Sequence, residues 1–364
     1  MTQFRFAIIC SAIIVVSLFI QVSSFSHMRQ EAPMSSNVAT ISPSPNNARV
    51  SRSEKEVIAP NEAGGVMIIM FHQFSKYYAG ERTPDQPYTI SHQHFKALLQ
   101  TLYDRNFRLI SLSDFANNHI AVPAGKIPVV FTFDDATAGQ FHLEKKNGQL
   151  GVAPNTAVGI MEAFYEAHPD FGLEGTFFIN MGLKRPLFDG AGTLYDRLTY
   201  LTGHGFELGN HTYSHVDLRR LKTEAEAVAE VGRNQQALNA VLPGYQMRSL
   251  ALPFGRTPRQ EWRQSIVRGE YDHVPFENSV ILGVGSRPSP PPASSQFVAT
   301  AVQRVRAPGR HPAPTDLNFW LRKKNTGHLY VSDGNPEVVT IPQSQFGQLS
   351  TVAIARKNQR LVVY

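Results

Sequence analysis

The sequence predicts an α/β fold built on a parallel sheet or barrel, and three observations predict it. Apolar runs of strand length recur at 66–71, 107–110, 128–133, 175–180, 206–209, 249–253 and 279–284. Several are almost continuously apolar, as in VVFTF and GTFFI, which is the pattern of strands buried on both faces. Helical patterns lie between some of them, and strands alternating with helices favour a parallel arrangement.

Taken from the N-terminus, residues 6–22 form a predominantly apolar run and follow Arg5, a positive flank ahead of a hydrophobic segment. This reads equally as a cleaved signal peptide or a retained membrane anchor, and either exports the remainder of the chain. Cys10, the single cysteine, lies inside it, so no intramolecular disulfide, cysteine zinc finger or iron–sulfur cluster is available. Residues 23–62 are rich in Ser, Asn and Pro and their charges cancel, as expected of a flexible tether. After Ser91, an N-cap, residues Phe95, Leu98, Leu99, Leu102 and Tyr103 mark one helical face. Thr223 and Glu226 form a capping box at the start of another helix. Beyond 325 the runs shorten to HLYVS, EVVTI, VAIA and RLVV, which suggests a small antiparallel appendage. The expected organisation is an export segment at 1–25, a linker at 26–64, a catalytic domain at 65–324 and a β-rich extension at 325–364.

Composition narrows the function. Hydrophobic residues at 42% and aromatics at 10% supply a core and exclude a disordered chain. The net charge of +6 is concentrated in residues 256–324, which suits an anionic envelope polymer or lipid surface. No RNA-stacking motif or helix-turn-helix pattern points to nucleic acid, and nothing indicates an obligate protein partner.

In a parallel barrel, chemistry sits on the loops at the C-terminal ends of the strands. Asp134 and Asp135 directly follow VVFTF. Neighbouring residues at a strand end point to different sides, so one carboxylate can bind a cation while the other faces substrate. His211 and His215, in GNHTYSHVDL, follow the run at 206–209. On a helical turn, imidazoles at i and i+4 share a face and can hold one metal. Two imidazoles and one carboxylate leave open positions, as in a hydrolytic zinc site, with the other Asp as base. The chain has no GxSxG elbow, HExxH or P-loop.

TFDD at 132–135, HTYSH at 211–215 and LPFG at 252–255, in this order, resemble the first three motifs of the polysaccharide deacetylases with a NodB-homology domain (carbohydrate esterase family 4). GTFFIN at 175–180 and the opening VMIIMFHQF are similar too, and the later segments look like membrane-anchored or secreted bacillus-type members. The resemblance implies a distorted (β/α)7 barrel and a divalent metal, usually zinc, with cobalt or nickel as alternatives. It implies Asp135, His211 and His215 as metal ligands and Asp134 as the base acting on a metal-bound water. Thr212 would stand behind the ligands, and Pro253 and Phe254 would line the substrate groove. The implied activity is removal of acetyl groups, N-acetyl above all, from an extracellular or cell-wall polysaccharide.

Two departures stand out. The third motif usually begins with an Arg that pairs with the catalytic Asp, and here that position is Ala251. Arg248, three residues earlier on a strand, would face the other side. The late motif that supplies a general-acid His has no clean match. His311 and His328 read as loop residues, and His72, ending the first strand run, is a candidate for the site on the substrate side. Ala136 stands where a Gly commonly follows the Asp pair. The departures keep two alternatives open: an O-acetyl esterase on a xylan-like polymer, and a catalytically weak glycan-binding protein on the same fold.

Overall fold

The computed structural model describes residues 59–75, 88–309 and 314–364. The export segment, Cys10, most of the linker and His311 lie outside the described residues. Among the described residues no helix is long and apolar enough to cross a membrane.

Eight parallel strands make the central sheet: β1 (Met67–Phe71), β2 (Phe107–Leu109), β3 (Ile127–Asp134), β4 (Thr176–Ile179), β5 (Glu207–Asn210), β6 (Ser249–Ala251), β7 (Val280–Leu282) and β8 (Val305–Arg306). Their order is β7-β6-β5-β4-β3-β1-β8, with β2 alongside the start of β3. The segment leading into β8 touches both edges of the sheet. Val302 bridges Leu282 of β7, and Val305 and Arg306 pair with Ile69 and Met70 of β1. The sheet therefore curls into a distorted (β/α) barrel, in agreement with the expectation. The seven strand runs all lie on it, whereas β8, only two residues long, is too short to announce itself by pattern.

Alternation along the strands separates two apolar layers. Ile69, Phe71, Phe131, Phe133 and Phe177 face the helices, where Phe133 stacks on Phe71 and Phe177 at ring separations of 5.3 and 4.6 Å. Val66, Ile68, Val130, Phe178, Ala251 and Leu282 fill the barrel interior. Helix α1 (His92–Asp104) starts at Ser91, whose side chain accepts from the N–H of His94, and buries Phe95, Leu98, Leu99 and Leu102 against the outer layer. Helix α2 (Glu224–Val241) begins with the capping box of Thr223 and Glu226. Both helices obey the sequence signals because cap and apolar stripe agree.

The C-terminal extension differs from the expected antiparallel appendage. Strands β9 (Val338–Ile341) and β10 (Arg360–Val363) pair in parallel, and helix α3 (Thr351–Arg356) lies between them in sequence. Residues VAIA, at 352–355, lie on that helix, which Ser350 caps. An apolar run of four does not distinguish strand from helix by period, and a parallel pair needs a crossover. Val339, Ile341 and Ile354 share a core with Ala63 and Ala293.

Residues 59–64, which the sequence assigns to the tether, are tied to this extension. Asn61 bridges Val331, and Glu62, only 1% exposed, accepts the backbone N–H groups of Thr340 (2.7 Å) and Asp333 (3.1 Å). Burial pushes the Glu62 carboxyl up to about 7 against those hydrogen bonds, and the nearby Asp333 carboxylate adds to the rise. A folded-state pKa above the unfolded 4.5 means that the fold favours the protonated acid. Its stabilisation is complete below 4.5 and is lost as pH rises through about 7. We expect unfolding free energy to fall by roughly 2–3 kcal/mol between pH 5 and pH 8 from this group. Denaturant titration of Glu62→Gln at both pH values should show that part of the slope removed.

Candidate metal centre

The chemistry-bearing residues gather at the C-terminal ends of β1, β3 and β5. On β3, Val130, Thr132 and Asp134 alternate toward the barrel interior, so Asp134 ends the strand pointing inward, 1% exposed. Asp135 and Ala136 then adopt left-handed backbone, with φ of 78° and 50°. Past this turn the two carboxylates have different partners, although His211 Nε2 lies within 4.0 Å of Asp134 Oδ2 as well as 3.6 Å from Asp135 Oδ1. The turn costs of order 1 kcal/mol per residue without glycine, including at Ala136. Gln140, fully buried, holds the turn by donating from Nε2 to the carbonyls of Asp134 (2.5 Å) and His72 (2.6 Å).

Asp135 meets the two histidines. Its Oδ1 lies 3.6 Å from His211 Nε2 and 3.4 Å from His215 Nε2. His211 is 2% exposed, and its Nδ1 lies 2.8 Å from the carbonyl of Ala251. A carbonyl only accepts, so Nδ1 carries the proton and Nε2 is left with its lone pair facing Asp135. Burial lowers the pKa of His211 against the pull of both aspartates, which keeps the ring neutral.

The pair does not sit on a helical turn. Residues 211–215 form an irregular loop with positive φ at Thr212 (62°) and His215 (56°). Side chains hold that loop where a helix ladder would otherwise do so. Glu230 of α2 accepts from the N–H and Oγ of Ser214 (2.9 and 2.7 Å). Asn210 accepts from Thr212 N–H (2.9 Å), and Asn234 of α2 donates to Asn210 Oδ1 (2.9 Å) and to the Ile179 carbonyl (2.8 Å). Asn180 donates to the carbonyls of His211 and Thr212. Thr212 is fully buried behind the ligands, and its hydroxyl has no partner among the described residues.

Asp135, His211 and His215 each present a ligand atom, and all three lie within 4.8 Å of one another. Separations of 3.4–3.6 Å between Asp135 and the imidazoles match the ligand–ligand edge of a tetrahedral ion with bonds of about 2.0–2.1 Å. The donor set, two nitrogens and one oxygen, suits zinc and other first-row divalent ions.

Asp134 has a different partner. Arg304, 0% exposed, reaches across the interior from the residue before β8 and grips it with two bonds, Nη1 to Oδ1 at 2.7 Å and Nη2 to Oδ2 at 2.8 Å. Arg304 Nε donates to the Gly283 carbonyl at 2.8 Å. Burial alone would raise the Asp134 carboxyl, but Arg304, with His211 and His72, holds it well below the usual carboxylate range. The arginine absent at Ala251 is thus supplied from another strand. Its sequence signal is the alternation in RVRA at 304–307, which puts two guanidinium groups on one strand face. Arg248 is indeed elsewhere, paired with Glu277.

His72 leaves β1 beside this pair, with Nε2 3.7 Å from Asp134 Oδ2. Burial lowers its pKa, while Asp134 and Asp135 oppose the shift. His328 is exposed and its carbonyl binds Gly65 N–H, at the opposite end of β1. Of the Pro253–Phe254 pair, the proline is buried in a tight turn, so only Phe254 presents a surface. Phe254 is 60% exposed with φ of 57°, and its ring meets His215 edge-on at 4.9 Å. A cavity of about 590 Å³ opens over the centre, lined by Gln73, Asp135, Thr137, Arg185, Asp189 and His215 among others.

Residues 121–267 match the family model described as polysaccharide deacetylase. No curated protein matches the chain. Among solved structures, the chain is similar to the Streptococcus pyogenes deacetylase PplD in complex with acetate, at 17% identity and a TM-score of 0.51, over 69% of this chain and 94% of that one. BC0361, a polysaccharide deacetylase from Bacillus cereus, aligns at 16% identity and a TM-score of 0.45, over 68% and 66%. IcaB from Ammonifex degensii aligns at 18% and 0.44, over 68% and 94%. At such identities the structural likeness is one of fold.

Removing one partner of a buried pair leaves an uncompensated charge. Arg304→Met is expected to cost about 3–5 kcal/mol in unfolding free energy, measured by denaturant titration. Arg304→Met combined with Asp134→Leu should recover most of that loss, since the stranded carboxylate is gone too.

Proposed function

We propose, from the match of residues 121–267 to the polysaccharide deacetylase family and the geometry of the centre, that this chain is a deacetylase hydrolase that removes N-acetyl groups, in a metal-dependent reaction, from an extracellular or cell-wall polysaccharide. The observation that carries this reading is the division of labour between the two aspartates: Asp135 faces His211 and His215, and Asp134 faces Arg304 and His72. Asp135, His211 and His215 would hold the ion. The chemistry such an ion supplies when bound is Lewis acidity, which acidifies a water and polarises an acetyl carbonyl.

The remaining steps belong to the protein's own groups. Arg304 keeps Asp134 ionised, so Oδ2 is ready to take a proton from the attacking water. A carboxyl held this acidic does not keep that proton. His72, neutral in its resting state and 3.7 Å away, receives it and passes it to the departing nitrogen. His72 thus takes the general-acid place for which the sequence offers no motif. The ester alternative drew its support from a missing acid and the weak-binder alternative from a missing arginine together with that missing acid; the contacts of His72 and Arg304 with Asp134 support giving those roles to them. Export of the enzyme through residues 6–22, as a secreted or membrane-anchored protein, is part of the same proposal.

Acetate release from chitin oligomers, peptidoglycan and acetylxylan should stop on chelation and return with zinc, cobalt or nickel. Asp134→Asn should retain metal binding by calorimetry and lose about 10²–10⁴-fold in kcat. Full activity in that variant would remove Asp134 as the base. His72→Asn should lower kcat by a similar factor on N-acetyl substrates and by less on O-acetyl esters, whose leaving group is better.

A further inference from the structure

Arg304 is not the only guanidinium on its strand face. Arg306 lies two residues on and is therefore on the same side of β8, level with Met70 of β1 and one step nearer the barrel mouth. Its Cζ lies over the ring of Tyr88, 5.3 Å from the centroid, and Tyr88 in turn packs on His72 at 4.7 Å. This row leads directly to the reacting groups, since His72 is the residue beside Asp134.

Unlike its neighbours, the Arg306 side chain has no polar partner among the described residues. Arg304 is neutralised by Asp134, and Arg185 donates to the Asp135 carbonyl. Among the described residues the Arg306 side chain makes no ion pair and no hydrogen bond, and its Nε is buried without a partner. A half-buried guanidinium with no counter-charge among the described residues is one that an anion arriving with bound substrate would stabilise. The planar fork of Arg fits a carboxylate or a phosphate through paired hydrogen bonds. Tyr88, 37% exposed, adds aromatic surface beside it that a sugar can contact. The stretch of chain that contains Arg306, 256–324, carries eleven Lys and Arg against five Asp and Glu, a balance that favours an acidic polymer.

We propose that Arg306 and Tyr88 form an anion-accepting subsite at the rim of the catalytic groove. It takes a carboxylate or phosphate substituent on the sugar next to the one that presents its acetyl group. The proposal rests on the deacetylase reading above and adds the class of polymer: an acidic glycan rather than a neutral one.

The test compares three glycans: neutral N-acetylglucosamine oligomers, peptidoglycan strands whose alternate sugars carry a lactyl carboxylate, and a glycan with phosphodiester substituents. The parent protein should prefer one or both acidic glycans in kcat/KM, and the two arms tell carboxylate from phosphate. In Arg306→Gln the ratio of acidic to neutral kcat/KM should fall about tenfold, through KM. Arg306→Lys, which keeps the charge and loses the fork, should retain part of it. Absence of any preference in the parent, or an unchanged ratio in Arg306→Gln, overturns the subsite. Binding to the same glycans, measured calorimetrically in the Asp134→Asn background, separates the two levels. An Arg306-dependent preference for acidic glycans there, with no acetate released by the parent protein from any of them, would leave the subsite standing and sink the catalytic reading.

Discussion

The buried two-bond contact between Arg304 and Asp134 is the constraint on which the rest of the site depends. It spans the barrel interior, from the strand that closes the ring to the strand at its centre. Segment 302–306 pairs with β7 at one end and with β1 at the other, so the same short piece of chain joins the sheet edges and supplies the guanidinium. Two ions out of water are tolerable only when their hydrogen-bonding capacity is filled, and here Asp134, Gly283 and the guanidinium satisfy one another. The ionised state of Asp134 is therefore a property of barrel closure.

Around this pair, the mouth of the barrel is built from backbone that amino acids with side chains adopt at a cost. Asp135, Ala136, Thr212, His215 and Phe254 all have positive φ. Such conformations persist where the surroundings over-determine them, and they concentrate at functional sites. The surroundings here are polar side chains anchored on regular elements: Asn210 at the end of β5, and Glu230 and Asn234 on α2. They tie the irregular loop to rigid structure, which is how two imidazoles four positions of chain apart come to face one carboxylate.

Parts of the site were legible in the chain for local reasons. Asp134 and Asp135 follow a strand that reads clearly as buried, and strand alternation alone separates an inward carboxylate from the next residue. The His211–His215 spacing pointed to a shared ligand, although a loop held by Asn and Glu brings the rings together and not the helical turn that the spacing suggests. Arg304 was not legible as the partner of Asp134, because they are far apart in sequence and β8 is too short to show a period. His72 could be placed at a strand end, but what faces it is decided by β3. In the C-terminal extension, the four-residue run VAIA carried no information on helix against strand, and its helical state follows from the parallel pairing of β9 with β10.

By itself, the sequence determined the strands, the capped helices, the paired aspartates and histidines, and the motifs that resemble those of the polysaccharide deacetylases. All of these are written in spacings of a few residues, where propensity and side-chain period act. Only the tertiary structure decided which arginine meets Asp134, which histidine stands beside it, and that Glu62 is buried under the C-terminal strands. Those are contacts between distant segments, set by how the sheet closes, and no local pattern encodes the closure.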